Sequence, residues 1–264
     1  MIASGGLVPH PPLLVPEVGR NDLNSVAGTV SAVRKLADSL ARENPDIIIM
    51  SSPHHNASRF GDIAVITAAN LSGDFSRFGA SEIKVEFNGA PEFARCILKD
   101  IDVCSLKESK VSELDWGFTV FLSFAKKAGL KSRILPLAIS RGNLSDCYKF
   151  GEGIANIARA YDGDLKVSYV ASGDLSHCTR ELPMREYDSY GAMFDKSVVN
   201  AIKTCKPSLL LDHTETDLIR AKQCGAFSFA VAMGFYSGDE SKWRFMSYED
   251  PFGVGYLVVH FEVN

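Results

Sequence analysis

The chain has 264 residues, of which 46% are hydrophobic and 23% charged, with a net charge of −4 and a pI near 5.9. That is an ordinary globular composition, and it excludes the basic field on which nucleic-acid binding relies. No apolar run has membrane-spanning length, and the short N-terminal apolar stretch has no basic residues ahead of it and is broken by prolines, so a cytoplasmic location is expected.

The first apolar run, residues 2–8, reads as a buried strand that ends at Pro9-His10-Pro11-Pro12. The flanking prolines fix φ and push the residues before them toward extended geometry, so His10 is held with little freedom. Asn21 or Asp22 is placed to cap a helix reaching Glu43, because Val26, Val30, Val33, Leu36, Ala37 and Leu40 recur at three- and four-residue spacing. Asn44-Pro45 stops it. Within residues 46–50, Asp46 leads into four successive apolar residues, as expected of a strand covered on both faces. Strand, helix and buried strand make a βαβ unit with a parallel pair. The second strand runs into Ser51-Ser52-Pro53-His54-His55-Asn56, where extended geometry turns neighbouring side chains to opposite sides and only one of the two histidines faces a site.

Residues 64–67 and 82–87 read as further strands, the second more exposed, with a loop over 73–79 between them. A helix over 91–100, a buried helix over 118–128, a strand over 132–139 and an amphipathic helix over 144–160 follow. The strand over 166–171 feeds Ser172-Gly173-Asp174-Leu175-Ser176-His177, the third histidine at a strand end. In open α/β sheets the ligand crevice lies outside the carboxyl ends of the strands. Helices are expected over 187–203, 207–211, 215–222 and 226–236, then a strand over 243–247, a turn at Asp250-Pro251-Phe252-Gly253 and a last strand over 255–261. No linker divides the chain, so one domain over 1–264 is expected, α/β in class, with a mixed, mostly parallel central sheet flanked by helices.

The chemistry of the strand-end residues narrows the function. His10 and His54 are candidate ligands of a divalent metal, since imidazole suits iron, zinc and copper, and two histidines with a carboxylate suit oxygen chemistry on Fe(II). His177, with Asp174 nearby to fix its tautomer, has the character of a proton-transfer group. No GxSxG elbow and no glycine-rich phosphate loop occurs, which argues against an α/β-hydrolase and a nucleotide enzyme. Six scattered cysteines, Cys96, Cys104, Cys147, Cys178, Cys205 and Cys224, form no CxxC pair and are expected as reduced thiols. His213 is expected at the surface and His260 in a structural place on the last strand.

Val8-Pro9-His10-Pro11-Pro12, Ser52-Pro53-His54, residues 172–177 and the stretch Ser247-Tyr248-Glu249-Asp250-Pro251-Phe252-Gly253-Val254-Gly255-Tyr256 together resemble the LigB-like superfamily of class III extradiol ring-cleavage dioxygenases. The pattern is nearest to AmmeMemoRadiSam system protein B and the related Memo proteins, and it runs from residue 2 to about 261. The resemblance implies a three-layer α/β fold around a non-haem metal, with Fe(II) expected and zinc or copper as alternatives. It makes His10 and His54 ligands and His177 a second-sphere acid/base or substrate-orienting residue; Asp174 beside it is counted with it among the candidate catalytic residues. It puts a third ligand in residues 220–225, where relatives of this branch have a glutamate just before Cys-Gly and Memo-like proteins use the cysteine itself; this chain offers Gln223 and Cys224. The pattern's Asp-His-Gly is Asp115-Trp116-Gly117, so an indole replaces an imidazole in the pocket formed by Asp115, Trp116 and His55.

The expected function is a metal-dependent oxidoreductase, of the extradiol dioxygenase type, acting on a small aromatic or heteroaromatic substrate. The alternatives are a catalytically altered metal-binding or scaffold relative, motivated by Trp116 and Gln223, and a zinc hydrolase. The expected partner is that small-molecule substrate, with neither nucleic acid nor membrane, and with homo-oligomer formation left open.

Overall fold

The computed structural model describes residues 1–55, 63–161, 165–182, 186–238 and 241–263; Asn56, the end of the second histidine loop, lies outside them. In chain order the strands are β1 (Gly5–Val8), β2 (Ile47–Ser52), β3 (Ile63–Ile66), β4 (Asn70–Phe75), β5 (Ala80–Asn88), β6 (Leu106–Ser109), β7 (Arg133–Ala138), β8 (Val167–Ser172), β9 (Ser241–Glu249) and β10 (Tyr256–Val263). The helices are α1 (Pro16–Gly19), α2 (Ala27–Glu43), α3 (Pro91–Asp100), α4 (Trp116–Lys127), α5 (Leu144–Ala160), α6 (Ser189–Thr204), α7 (Ser208–Leu211), α8 (Glu215–Ala221) and α9 (Ala226–Phe235).

Eight strands pair in the order β6-β3-β7-β2-β8-β1-β10-β9, and β4 and β5 make a separate antiparallel hairpin. The centre of the sheet, β7-β2-β8-β1, is parallel throughout, while β3 and β10 join it antiparallel on either side. The apolar run of β2 explains why the sheet is covered on both faces. Ile47 and Ile49 enter one core with Phe93, Phe150, Phe194 and Phe229 of α3, α5, α6 and α9. Ile48 and Met50 enter the other with Leu36 of α2 and Phe118 and Phe121 of α4. Period-two alternation along one apolar strand therefore feeds two cores and gives three layers. The parallel strands β2, β8 and β1 are neighbours, so their carboxyl ends, each leading to one of the histidines, open on one edge of the sheet.

Three local expectations are corrected. A 3-10 stretch over Arg20–Val26 precedes α2, and neither Asn21 nor Asp22 caps it. Instead the Glu249 carboxylate, at the end of β9, accepts from Gly28 N, Thr29 N and Thr29 Oγ1. A carboxylate among the orphan amides of a helix start satisfies them and complements the helix dipole. The stretch read as a loop over 73–79 is the end of β4, a 3-10 turn at Ser76–Phe78 and Gly79 in the left-handed region. Finally, β6 was not anticipated, because its Leu-Lys-Glu-Ser lies at the sheet edge and is too polar to read as a strand.

Candidate metal centre

His10 follows β1, and its ring is oriented by Ser172 at the end of β8, whose Oγ lies 2.9 Å from His10 Nδ1. With Nδ1–H donating to Ser172 Oγ, Nε2 keeps its lone pair for a ligand role, the usual arrangement of a second-sphere partner. That Nε2 lies 3.1 Å from His54 Nε2 and 3.5 Å from Cys224 Sγ. Metal–imidazole bonds of ~2.0–2.1 Å and metal–thiolate bonds of ~2.3 Å put adjacent donors ~3.3–3.6 Å apart around a tetrahedral ion. The three donor atoms all lie within 4.8 Å of one another, so they fit a divalent transition metal with small adjustments.

Burial keeps both imidazoles neutral, the form that ligates. Desolvation, reinforced by the nearby His177, brings the His10 pKa down to about 3. Desolvation and His10 bring His54 to about 4, against an opposing pull from Asp174. Cys224 sits just before α9. Burial, with Asp174 adding to it, pushes its thiol well above the usual range; metal capture then releases a proton from it. Asp174 N donates to Cys224 Sγ at 3.2 Å.

His54 is fixed from the α4 side. Asp115 caps α4, its carboxylate accepting from Gly117 N, and it also accepts from Ser52 Oγ at 2.9 Å. Ser52 Oγ in turn accepts from His54 N at 3.3 Å. A Cβ on Gly117 would come 2.1 Å from Ser52 Oγ, so glycine is required for this close approach. Trp116 stacks on the His54 ring, 4.8 Å between centroids and 24° between planes. The neighbouring His55 turns away, its Nε2–H donating to Glu113 O at 2.9 Å. His55, Asp115 and Trp116 line one cavity of about 540 Å³ together with Phe78 of the β4–β5 side.

Gln223 and Cys224, the two candidates for the third position, face different ways. Gln223 Oε1 accepts from Ala226 N at 2.7 Å, in the first turn of α9, and is committed there, while the Cys224 thiol meets the imidazoles. Asp174 and His177 form a second group with Cys224, again within 4.8 Å. Asp174 Oδ1 accepts from His10 N at 3.1 Å, and its Oδ2 is 3.7 Å from His10 Nε2. The carboxylate expected to serve His177 therefore also anchors the His10 loop. His213 is half-buried rather than at the surface, its Nδ1 2.9 Å from Tyr190 Oη, and His260 lies on β10 beside Glu262.

Asp195 carries no signal in the sequence, and Ser172 and Ser52, although inside the motifs quoted above, give no sign of the contacts they make. Asp195, buried on α6, accepts from Ser176 N and Tyr248 Oη. Serines at strand ends and one acid on an amphipathic helix are too common to stand out. The contacts of the stretch over 247–256 give it a bracing role. Tyr248 binds Asp195, Glu249 caps α2, Asp250 pairs with Arg180 at 2.7 Å, and Gly255 pairs with the backbone of Leu175 and Ser176. It supports the site without entering it.

A family model described as the catalytic LigB subunit of aromatic ring-opening dioxygenase matches residues 5–259. Protein CA_C1420 of Clostridium acetobutylicum is 30% identical over 270 residues, covering 97% of this chain and 56% of its own length. The chain thus spans a little over half of that curated relative. The crystal structure of uncharacterized protein JW3007 from Escherichia coli K12 has a TM-score of 0.63 at 15% identity, covering 98% of this chain and 99% of that one, a likeness of fold. The chain belongs to the LigB family, and with it to the metal-dependent, dioxygenase-like fold.

Proposed function

We propose that the protein is a metal-dependent oxidoreductase of the extradiol ring-cleavage type, acting in the cytoplasm on a small aromatic or heteroaromatic substrate. The observation that carries this reading is the convergence of His10 Nε2, His54 Nε2 and Cys224 Sγ, the two histidines following β1 and β2, which flank β8 in the parallel part of the sheet, and the cysteine preceding α9. Fe(II) is the first candidate; such an ion supplies Lewis acidity and electron exchange with oxygen when bound. The chain's own groups do the rest. His10 and His54 hold the ion as neutral imidazoles, and Cys224 adds the anionic charge that Gln223 lacks. His177, with Asp174 beside Cys224, takes and returns a proton at the hydroxyl of a bound diol. Trp116 supplies no second acid/base group, so the ~10²–10⁴-fold that such a group contributes is absent and proton transfer rests on His177 alone. The body of the substrate is assigned to the cavity that Trp116, which stacks on His54, lines with Asp115, His55 and Phe78; His10, His54, His177 and Cys224 are not among its lining residues.

The thiolate favours a second reading, a zinc hydrolase, because two imidazoles and a cysteine are a common zinc set. The test is protein loaded with Fe(II) without oxygen, then mixed with a panel of catechols and air while oxygen uptake and ring-opened product are followed. Oxygen-dependent turnover that is lost in His10→Ala and His54→Ala is expected. Turnover indifferent to His10→Ala, or no near-stoichiometric metal, would sink the reading, and activity kept under strict anaerobiosis would move it to the hydrolase. A bound metal with no turnover of any diol would leave the altered, scaffold-like relative.

A further inference from the structure

One buried ionisable group has no part in that chemistry and yet reaches the site. Asp195 is 1% exposed in the middle of α6, and among the described residues no cation pairs with it. Its Oδ1 accepts from Ser176 N at 2.8 Å and its Oδ2 from Tyr248 Oη at 2.7 Å. Gly255 leaves it room, since a Cβ there would come 2.1 Å from Oδ2. The turn it holds is the one that carries Asp174 and His177. Leu175 N donates to Gly255 O and Gly255 N to Ser176 O, while Asp174 O accepts from Gly225 N and Asp174 N donates to Cys224 Sγ.

We propose that Asp195 is a positioning residue of the metal centre: its buried carboxylate fixes the turn over 172–177 so that Asp174 and His177 face Cys224, at the expense of fold stability. The inference deepens the proposed function and rests on it for the identity of the ion. Hydrogen bonds to an ionised acceptor are shorter and stronger than neutral ones, so a charge is the strongest available anchor for one backbone amide. That charge is otherwise unfavourable. Burial pushes the Asp195 carboxyl up to about 6, with Asp250 adding to it and the Tyr248 and Ser176 hydrogen bonds opposing. The groups facing it are Tyr248 from β9, kept protonated by burial and by Asp195 itself, Asp250, which is paired with Arg180, and Cys178, whose thiol Asp195 helps to raise.

The sign of the pH dependence follows. An acid whose folded pKa is raised weakens the fold as pH climbs from about 4 to about 6, where the unfolded chain has already lost the proton. Asp195→Asn keeps the shape without the charge. Its melting temperature is expected to match the wild type near pH 4 and to exceed it above pH 6. In the same variant, Co(II) affinity and the intensity of the thiolate-to-Co(II) absorption band are expected to fall, affinity by ~10-fold, the lower end of what losing an outer-sphere partner does. Tyr248→Phe keeps the charge and removes one donor, and is expected to lower stability at pH 8 as well as Co(II) affinity. An Asp195→Asn variant that gains no stability at high pH, or that binds Co(II) as the wild type does, would overturn the proposal. If the wild type takes up no Co(II), the metal reading fails instead, and the metal-free stability comparison decides the place of Asp195.

Discussion

At the scale of single residues, the site depends on which groups are free to face an ion. Gln223 spends its amide on α9 and Cys224 does not. Gln223→Ala is therefore expected to lower stability by ~0.5–2 kcal/mol, as the loss of a helix-cap acceptor does, with metal affinity nearly unchanged. Cys224→Ala is expected to abolish tight metal binding in a chelator competition while the fold persists; the opposite pattern would return the third position to Gln223. Ser172→Ala removes the partner of His10 Nδ1 and is expected to weaken metal binding ~10–100-fold without changing the ligand set. In metal-free protein, His10 and His54 refuse protons that the unfolded chain accepts from about pH 6.5 downward. Stability present at neutral pH is thus lost as pH falls from about 6.5 toward 4. Denaturant midpoints at pH 7.5, 5.5 and 4.5 measure this, and His10→Gln is expected to flatten the profile. An equal slope in that variant would show that His10 is not the group responsible.

At the scale of elements, the legibility of the chain follows its physics. The Ile47–Met50 run of β2 and nearly all of α9 are apolar because they are buried, so their place is readable from composition alone. The bounds of α3 and α5 follow from Pro91 at the start of one and Asn143 capping the other. What stays hidden depends on contacts between distant residues. The cap of α2 comes from Glu249, 220 positions from Thr29, and no local pattern announces it. Glu249→Ala is expected to cost ~1–2 kcal/mol through the exposed amides of that first turn, measured by denaturant unfolding. The candidate site shows the same division. His10, His54 and His177 stand out because strands deliver them to one edge. Ser172, Ser52 and Asp195 do not, because ordering a ring or a turn takes only a hydroxyl or a carboxylate in the right place. The tie between Gln223 and Cys224 also needs coordinates, since adjacent residues differ only in the direction they face.

At the scale of the whole molecule, three parallel strands, two covering layers and one C-terminal brace converge on a single corner of the sheet. The family implies a metal-dependent, dioxygenase-like fold, whereas Trp116, Gln223 and Cys224 set this chain's candidate site apart from the pattern. The most direct test is anomalous diffraction from metal-loaded crystals across the iron, copper and zinc edges. A single strong peak within bonding distance of His10 Nε2, His54 Nε2 and Cys224 Sγ is predicted, with Gln223 still turned to α9. No peak there, or an ion held by Gln223 with Cys224 unligated, would contradict the account.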